Sequence, residues 1–316
     1  MSKLDKIEIF QEMDRSKKQG KLYIVVPCYN EEEALETSAN SLMKKLEDLS
    51  AKGLISEESR IVFVDDGSKD KTWRIIQSLY QQNETVIGLR FAHNRGHQNA
   101  ILAGMMYARK YCDFVITIDA DLQQDIEAMD RFIQEYYAGN EIVFGVRNSR
   151  NTDSFFKKTS ATCFYKLMRF LGCNIYENSA DYRLMSAKAL DALSEYEEVN
   201  LFLRGIIPDI GLMTSVVYFD VYPRMQGESK YSLSKMLTLG VDGITSFSIK
   251  PIRMVFAMGI LALIMGFCMI VHVFYEHYFG TTVSGWSSIL ASIWFLGGAI
   301  LLALGIIGEY VGRNYM

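Results

Sequence analysis

The chain has 316 residues, 49% hydrophobic and 22% charged, with 37 acidic against 33 basic side chains. A formal charge of -4 and a pI near 5.7 exclude a general nucleic-acid binder, which needs a net basic surface to displace counterions from phosphates. The charge is unevenly spread: between Met254 and Ile307 the only Asp, Glu, Lys or Arg is Glu276, which excludes a wholly soluble protein.

The first 20 residues are charged throughout and lack the apolar core of a signal peptide, so 1–20 reads as an extension and not as a cleaved leader. From Lys21 onward, apolar runs alternate with longer polar or amphipathic stretches: LYIVV, RIVFV, VIGLRF, FVITI and EIVFGV. This pattern predicts strands of a parallel sheet covered by helices, a doubly wound α/β core. The intervening stretches from Asn30, Asp70, His97 and Asp125 open with residues suited to helix starts, and Gly53 suits a helix end. Ligands of such sheets bind beyond the carboxyl ends of the strands. Pro27–Glu31, Asp65–Ser68, His93–Gly96 and Asp119–Gln123 follow the first four strands, so four polar loops are expected on one cleft.

Further on, Ser154 to Gly172 interleaves Phe155, Phe156, Phe164, Leu167, Met168 and Leu171 with Lys157, Lys158, Lys166 and Arg169 at helical spacing. Such a helix either lies on an anionic leaflet or packs on the domain core. The soluble domain is placed at 21–230, and 231–253 is read as a juxtamembrane stretch that couples it to the bilayer. Two membrane spans are expected at about 254–275 and 286–308, each near the roughly 20 residues a helix needs to cross the hydrocarbon. Lys250 and Arg253 precede the first span and Arg313 follows the second, whereas the linker EHYFGTTVSG has no Lys or Arg. The positive-inside rule then puts both outer ends in the cytoplasm. The five cysteines (Cys28, Cys112, Cys163, Cys173 and Cys268) are odd in number and scattered, which suits a reducing compartment and no zinc or redox motif.

The loops narrow the chemistry. A dinucleotide site would carry a glycine-rich turn after the first strand, but here the turn is PCYNEEE, and Glu31, Glu32 and Glu33 would repel phosphate. GSKDKT from Gly67 lacks the second glycine of a Walker loop, so ordinary ATPase chemistry drops out. Asp119 and Asp121 stand two apart at an expected strand end, where a period of two sends both carboxylates to one side. They are read as sharing a divalent ion such as Mg²⁺ with substrate phosphate, with the Gln123 carbonyl as a further ligand. A solvated acidic loop is the alternative for an isolated DxD. Asp65 and Asp66 suit hydrogen bonds to a ribose or base; helix capping by Asp66 or Ser68 is the other reading.

The ordered set VPCYNEEE, VDDGS, HNRGHQNAILAG, DADLQ, SADYRL, FLRG, RMQGESKYS and GEYVGRNY resembles the polyprenyl-phosphate glycosyltransferases of glycosyltransferase family 2. It is most similar to their bacterial undecaprenyl-phosphate branch and more distantly resembles dolichol-phosphate mannose synthase. The QxxRW motif of processive synthases is absent, and the sequence ends at Met316, where relatives usually continue with a charged tail. The resemblance implies a GT-A type Rossmann-like, mostly parallel sheet domain followed by interface helices and a C-terminal transmembrane hairpin. It implies nucleotide contacts from Pro27, Tyr29, Glu31, Asp65, Asp66, Asp119 and Ala120. Metal and diphosphate would engage Asp119, Asp121 and Gln123, with Mg²⁺ or Mn²⁺ as cofactor. Asp121, Asp181 and Arg147 are the implied catalytic set, with Asp181 orienting the acceptor in place of a strong base. Arg204, Arg224 and Lys230 are implied at acceptor or diphosphate phosphates. The expected partners are a UDP-sugar, undecaprenyl phosphate, the bacterial cytoplasmic membrane and, as the family allows, a second copy of the chain. Glucose is the expected sugar, with GlcNAc, galactose, mannose or an aminoarabinose derivative as alternatives. A non-catalytic nucleotide-sugar binding scaffold is the rival class.

Overall fold

A computed structural model of the chain describes residues 19–121, 123–148, 179–196, 203–221, 250–280 and 286–314. The stretches 154–172 and 231–249, together with Arg224 and Lys230, lie outside the described residues. The chain divides into two compact units, one built on a sheet and one on two long helices.

In the first unit the strands are β1 (Leu22–Cys28), β2 (Arg60–Asp65), β3 (Val86–Arg90), β4 (Phe114–Thr117), β5 (Ile142–Arg147), β6 (Ser179–Ser186) and β7 (Thr214–Phe219). Their order in the sheet is β3-β2-β1-β4-β6-β5-β7. All five strands expected from apolar runs form, and β1, β2, β3 and β4 pair in parallel. Two strands were not expected. β6 runs antiparallel to both β4 and β5, and β7 pairs with β5 in parallel. The order reverses between β1 and β4, which opens the crevice where such sheets bind ligands.

The helices are α1 (Leu35–Ala51), α2 (Thr72–Gln82), α3 (His97–Ala108), α4 (Ala128–Tyr137), α5 (Ala187–Leu193) and α6 (Leu203–Asp209). α1 buries Leu35, Ala39, Leu42, Leu46 and Leu49, the spacing of one helical face. α1, α2 and α4 cover one face of the sheet, where Ile24, Val26, Phe63, Ile116, Tyr182 and Leu184 form the core. Tyr182 packs edge-on against Phe132 at 4.6 Å and Phe219 at 5.2 Å between ring centroids. Each such pair adds about 0.5–1.5 kcal/mol beyond its buried area.

α3 lies on the opposite face. Its close approach depends on Gly104, where a Cβ would overlap Val25 Cγ1 and lie 3.0 Å from Val64 Cγ2. Residues alternate faces along a strand, so β6 sends Ala180, Tyr182 and Leu184 into the apolar core and Asp181 and Arg183 to the α3 side.

The second unit holds α7 (Lys250–Phe279) and α8 (Trp286–Asn314). A Cβ on Gly259 would lie 2.6 Å from the Leu302 nitrogen, and one on Gly305 would lie 2.7 Å from Phe256 Cα. The contacts of Gly266 with Phe295 and Gly298 with Leu263 continue the same antiparallel seam. Small residues let the two backbones meet. Side chains such as Phe267, Phe274, Ile300 and Leu304 point outward and are exposed. Among the described residues, Arg253–His272 is long and apolar enough to cross a membrane, and α8 carries a shorter apolar stretch at Ser292–Gly308.

Because Gly104 sets the seat of α3, Gly104→Leu should overpack the β1–α3 contact and cost about 1–3 kcal/mol. A urea titration of the purified protein followed by circular dichroism should show the lowered midpoint.

Candidate active site

The site is organised by the pairing of β4 with β6. Thr117 pairs with Arg183 at the end of the β4–β6 ladder, and Asp119 and Asp181 each lie two residues beyond that pair, both near His97. β6 runs against its neighbours, so its first residues lie at the carboxyl edge of β4, among the loops. The Thr117 hydroxyl donates to the Asp181 carbonyl and fastens the two strands just below the site.

Asp181 is buried, yet it is surrounded by donors. Arg183 Nη2 donates to Oδ1 at 2.5 Å. Arg204, from α6, donates from Nε to Oδ1 at 3.2 Å and from Nη2 to Oδ2 at 2.9 Å. Gln98 Nε2 donates to Oδ2 at 3.4 Å, and Gln98 Oε1 accepts from the Leu203 backbone at the start of α6 at 3.3 Å. His97, the first residue of α3, holds Nε2 3.6 Å from Asp181 Oδ2 and 3.4 Å from Asp119 Oδ1. Burial alone would raise the Asp181 pKa. The charge of Arg204, the hydrogen bond from His97 and the charge of Arg183 outweigh it and hold the carboxyl well below its usual range. Burial opposes the charged form of His97 too, but the bond to Asp181 and the charge of Asp119 raise its pKa overall.

Asp119 behaves in the opposite way. Burial and the nearby carboxylates of Asp181 and Asp121 push its pKa up, against the lowering effect of His97 and Arg204. Carboxylates converging without enough positive charge are a donor set suited to a hard divalent cation. The local geometry corrects one premise of the sequence reading. β4 ends at Thr117, so Asp119 and Asp121 occupy the turn that follows and are not aligned by a strand's period of two. The turn is tied down instead: Ser38 Oγ on α1 donates to the Ala120 carbonyl at 2.5 Å. Gln124 clasps Asp119, its Oε1 accepting from the backbone nitrogen at 3.0 Å and its Nε2 donating to Oδ2 at 2.6 Å. Gln123 donates its backbone N–H to Asp121 Oδ1 at 3.2 Å.

On the other side of the crevice the β1 and β2 loops are laced together. Pro27 lies within β1, opposite Val64, and Tyr29 and Glu31 follow it half-buried. The Asn30 N–H donates to Ser68 Oγ and the Glu31 N–H to Thr72 Oγ1, each at 2.9 Å. Neither Asp66 nor Ser68 caps α2. Asp65 Oδ1 accepts from the Ser68 backbone at 3.0 Å. Asp66 accepts from the backbone N–H groups of Arg95 at 2.6 Å and Gly96 at 2.9 Å, holding the loop that leads into α3. Gly67 has φ +67° and a Cβ there would lie 2.6 Å from the His93 carbonyl carbon, so only glycine lets these loops touch. Arg147 ends β5, with Nε buried and no hydrogen-bond partner among the described residues.

A model of glycosyl transferase family 2 matches residues 23–194. The uncharacterized glycosyltransferase YkoT of Bacillus subtilis is 47% identical over 297 residues, covering 94% of this chain and 88% of that protein. The prophage bactoprenol glucosyl transferase homolog of Escherichia coli is 37% identical over 301 residues, covering 94% of this chain and 95% of that one. The bactoprenol glucosyl transferase of Shigella phage SfX is 38% identical over 301 residues with the same two coverages. The chain belongs to glycosyl transferase family 2. It is a glycosyltransferase, and its sheet domain has the GT-A type fold.

The structure brings Asp119, Asp121 and Asp181 of the family 2 domain together with Arg204, which follows it in the chain. Sequence reasoning missed four members of this cluster: His97, Gln98, Gln124 and Arg183. His97 and Gln98 stood in the HNRGHQ string, and their place at the start of a helix beside a cleft was the available signal. Asp48, Glu127 and Asp130 also lie close enough together to hold an ion. Two ammonium groups sit among them, however. Lys45 reaches Glu127 at 2.5 Å and Asp130 at 2.7 Å, and Lys52 reaches Asp48 at 2.7 Å and Asp130 at 2.9 Å. This group pins α1 to α4.

Asp181 has a lowered pKa, so its ion pairs stabilise the fold above the ordinary carboxylate pKa and are lost as pH falls through the lowered folded value. Asp181→Asn should therefore cost about 3–5 kcal/mol at neutral pH, because it leaves buried Arg183 uncompensated. Urea midpoints measured over a pH series should show a constant deficit down to about pH 4, narrowing only below it.

Proposed function

We propose that this glycosyltransferase moves glucose from a UDP-sugar to undecaprenyl phosphate, inverting the anomeric centre, with divalent metal dependence. The observation that carries the reading is the approach of Asp119 and Asp181 to His97 beyond the end of the β4–β6 ladder, the first carboxylate with a raised pKa and the second held ionised by arginines. Relatives that align with 94% of the chain and carry the name bactoprenol glucosyl transferase support glucose as the sugar and a polyprenyl phosphate as the acceptor.

Asp119 and Asp121, with Gln123, would hold Mg²⁺ or Mn²⁺, and when bound the ion supplies positive charge to the departing nucleotide diphosphate. Pro27, Tyr29, Glu31, Asp65, Asp66 and Ala120 frame the nucleotide at the carboxyl edge of β1, β2 and β4. Asp66 does so by fixing the Arg95–Gly96 backbone with its own carboxylate. Arg147 and Arg204 receive phosphate oxygens; Arg224 and Lys230 complete the basic set.

The acceptor brings its own nucleophile. A phosphate monoester has a second pKa of about 6 and is largely dianionic at neutral pH. Its oxygen attacks the anomeric carbon as the bond from that carbon to the diphosphate oxygen breaks, and the electron pair leaves with UDP. No proton needs to be taken, and Asp181, already ionised and saturated with donors, orients the site without acting as a base. Arg253–His272 in α7, long and apolar enough to cross a membrane, would anchor the enzyme to the bilayer that carries the lipid phosphate.

Radiolabelled UDP-glucose and undecaprenyl phosphate given to the purified protein should yield label in the organic phase. EDTA should abolish the transfer, and Mg²⁺ or Mn²⁺ should restore it. Asp119→Asn should lower kcat on the order of 100-fold or more. Full transfer in EDTA would sink the metal assignment.

A further inference from the structure

Gln124 has no role in the reading so far. It is 2% exposed, out of reach of a ligand in the cleft, whereas the Asp119 side chain is 33% exposed. Both ends of the Gln124 amide meet that one residue: Oε1 accepts from the Asp119 backbone N–H at 3.0 Å, and Nε2 donates to Asp119 Oδ2 at 2.6 Å. The partner fixes the sense of the amide. A backbone N–H can only donate, so the amide oxygen faces it and the amide nitrogen faces the carboxylate. Oδ2 is therefore engaged as an acceptor, and Oδ1 is the oxygen 3.4 Å from His97 Nε2.

Asp119 needs such a partner because no ladder holds it. β4 ends at Thr117, and a carboxylate on a turn samples several rotamers unless packing or hydrogen bonds select one. Gln124 is anchored in its turn by an antiparallel bridge to Val221, two residues past the end of β7. β7 pairs with β5 at the edge of the sheet, so a second path, through Gln124 and Val221, ties the Asp119 carboxylate to the fold. We infer that Gln124 is a positioning residue for nucleotide binding: it selects one Asp119 rotamer, engages Oδ2, and leaves Oδ1 as the oxygen offered to the nucleotide or to its divalent ion. This rests on the nucleotide and metal role given to Asp119 above. The ligand then meets a carboxylate that is already ordered, which strengthens binding without a new contact. The effect belongs to the donor, since in that reading the acceptor is placed by Asp181 and the arginines.

The test compares Gln124→Met with Gln124→Asn in the full-length protein. Met keeps close to the volume of Gln and removes both hydrogen bonds, whereas Asn keeps the amide but is one methylene too short to reach both atoms of Asp119. Positioning predicts that Gln124→Met raises the KM for the UDP-sugar roughly tenfold, with kcat within about threefold and the KM for undecaprenyl phosphate unchanged, and that Gln124→Asn does so less. Packing predicts the reverse order, because only Asn leaves a cavity. Calorimetric binding of UDP in the presence of Mn²⁺, with free Mn²⁺ followed by its EPR signal, gives a readout without turnover. The wild type should bind both, and Gln124→Met should bind UDP about tenfold more weakly. If Gln124→Met binds UDP and Mn²⁺ as the wild type does, or if Gln124→Asn is the worse of the two, the inference is wrong. Should Gln124→Met fail to fold, Gln124→Asn decides alone: weaker UDP binding with an unchanged acceptor KM upholds the inference, and equal losses for donor and acceptor overturn it. If the wild type does not glycosylate undecaprenyl phosphate yet the UDP affinities separate as stated, the acceptor assignment falls and the positioning stands. UDP binding that ignores Mn²⁺ removes the metal assignment and leaves the UDP comparison in force. No UDP binding by the wild type would remove the nucleotide role of Asp119 and the inference with it.

Discussion

The site depends on a charge that the fold keeps out of water. Asp181 sits near the start of an antiparallel strand, and only that reversal brings its carboxylate to the edge where the parallel strands end. Burial would ordinarily neutralise such a group. Arg183, Arg204, Gln98 and His97 keep it ionised, and in doing so they tie together β6, α6 and the first turn of α3. Removing the carboxylate would release three elements at once, because they share it as their common acceptor.

The same strand divides the domain's labour by the pleat of the sheet. Its alternate residues Ala180, Tyr182 and Leu184 belong to the apolar core with α4, while Asp181 and Arg183 face α3. Stability and chemistry are thereby placed on opposite faces of one strand. Asp119 completes the arrangement from the turn after β4, with a raised pKa where that of Asp181 is lowered. Two carboxylates that both approach His97 thus titrate in opposite directions, because the arginines bear most strongly on Asp181.

Much of this was legible in the sequence. Continuous apolar runs announced β1, β2, β4 and β5, since strands buried on both faces carry apolar residues at nearly every position, and the shorter VIGLRF run announced the edge strand β3. The clustering of polar residues after those runs located the cleft, and the absence of charge after Met254 located the long helices. β6 escaped because SADYRL places charged residues at alternate positions, which reads as a polar motif until its partners are known. β7 escaped at the sheet edge, where TSVVYF leaves Tyr218 exposed. Gln124, Arg183 and Gln98 were not legible because their importance lies in long-range contacts that no local pattern encodes. Asp66 was legible as a site residue, but its use of both oxygens on the Arg95–Gly96 backbone came only from the packing of β2 against β3.

Asp119 in the turn after β4 and the arginines of β6 and α6 meet around Asp181 and His97, an arrangement that suits the transfer proposed above. The most direct test of that account is mass spectrometry of the lipid formed when a panel of nucleotide sugars is offered with undecaprenyl phosphate and Mg²⁺. The account predicts undecaprenyl phosphate enlarged by one hexose, formed from UDP-glucose, with the anomeric configuration inverted. Release of UDP with the sugar found free in water, or on an acceptor other than the lipid phosphate, would contradict it.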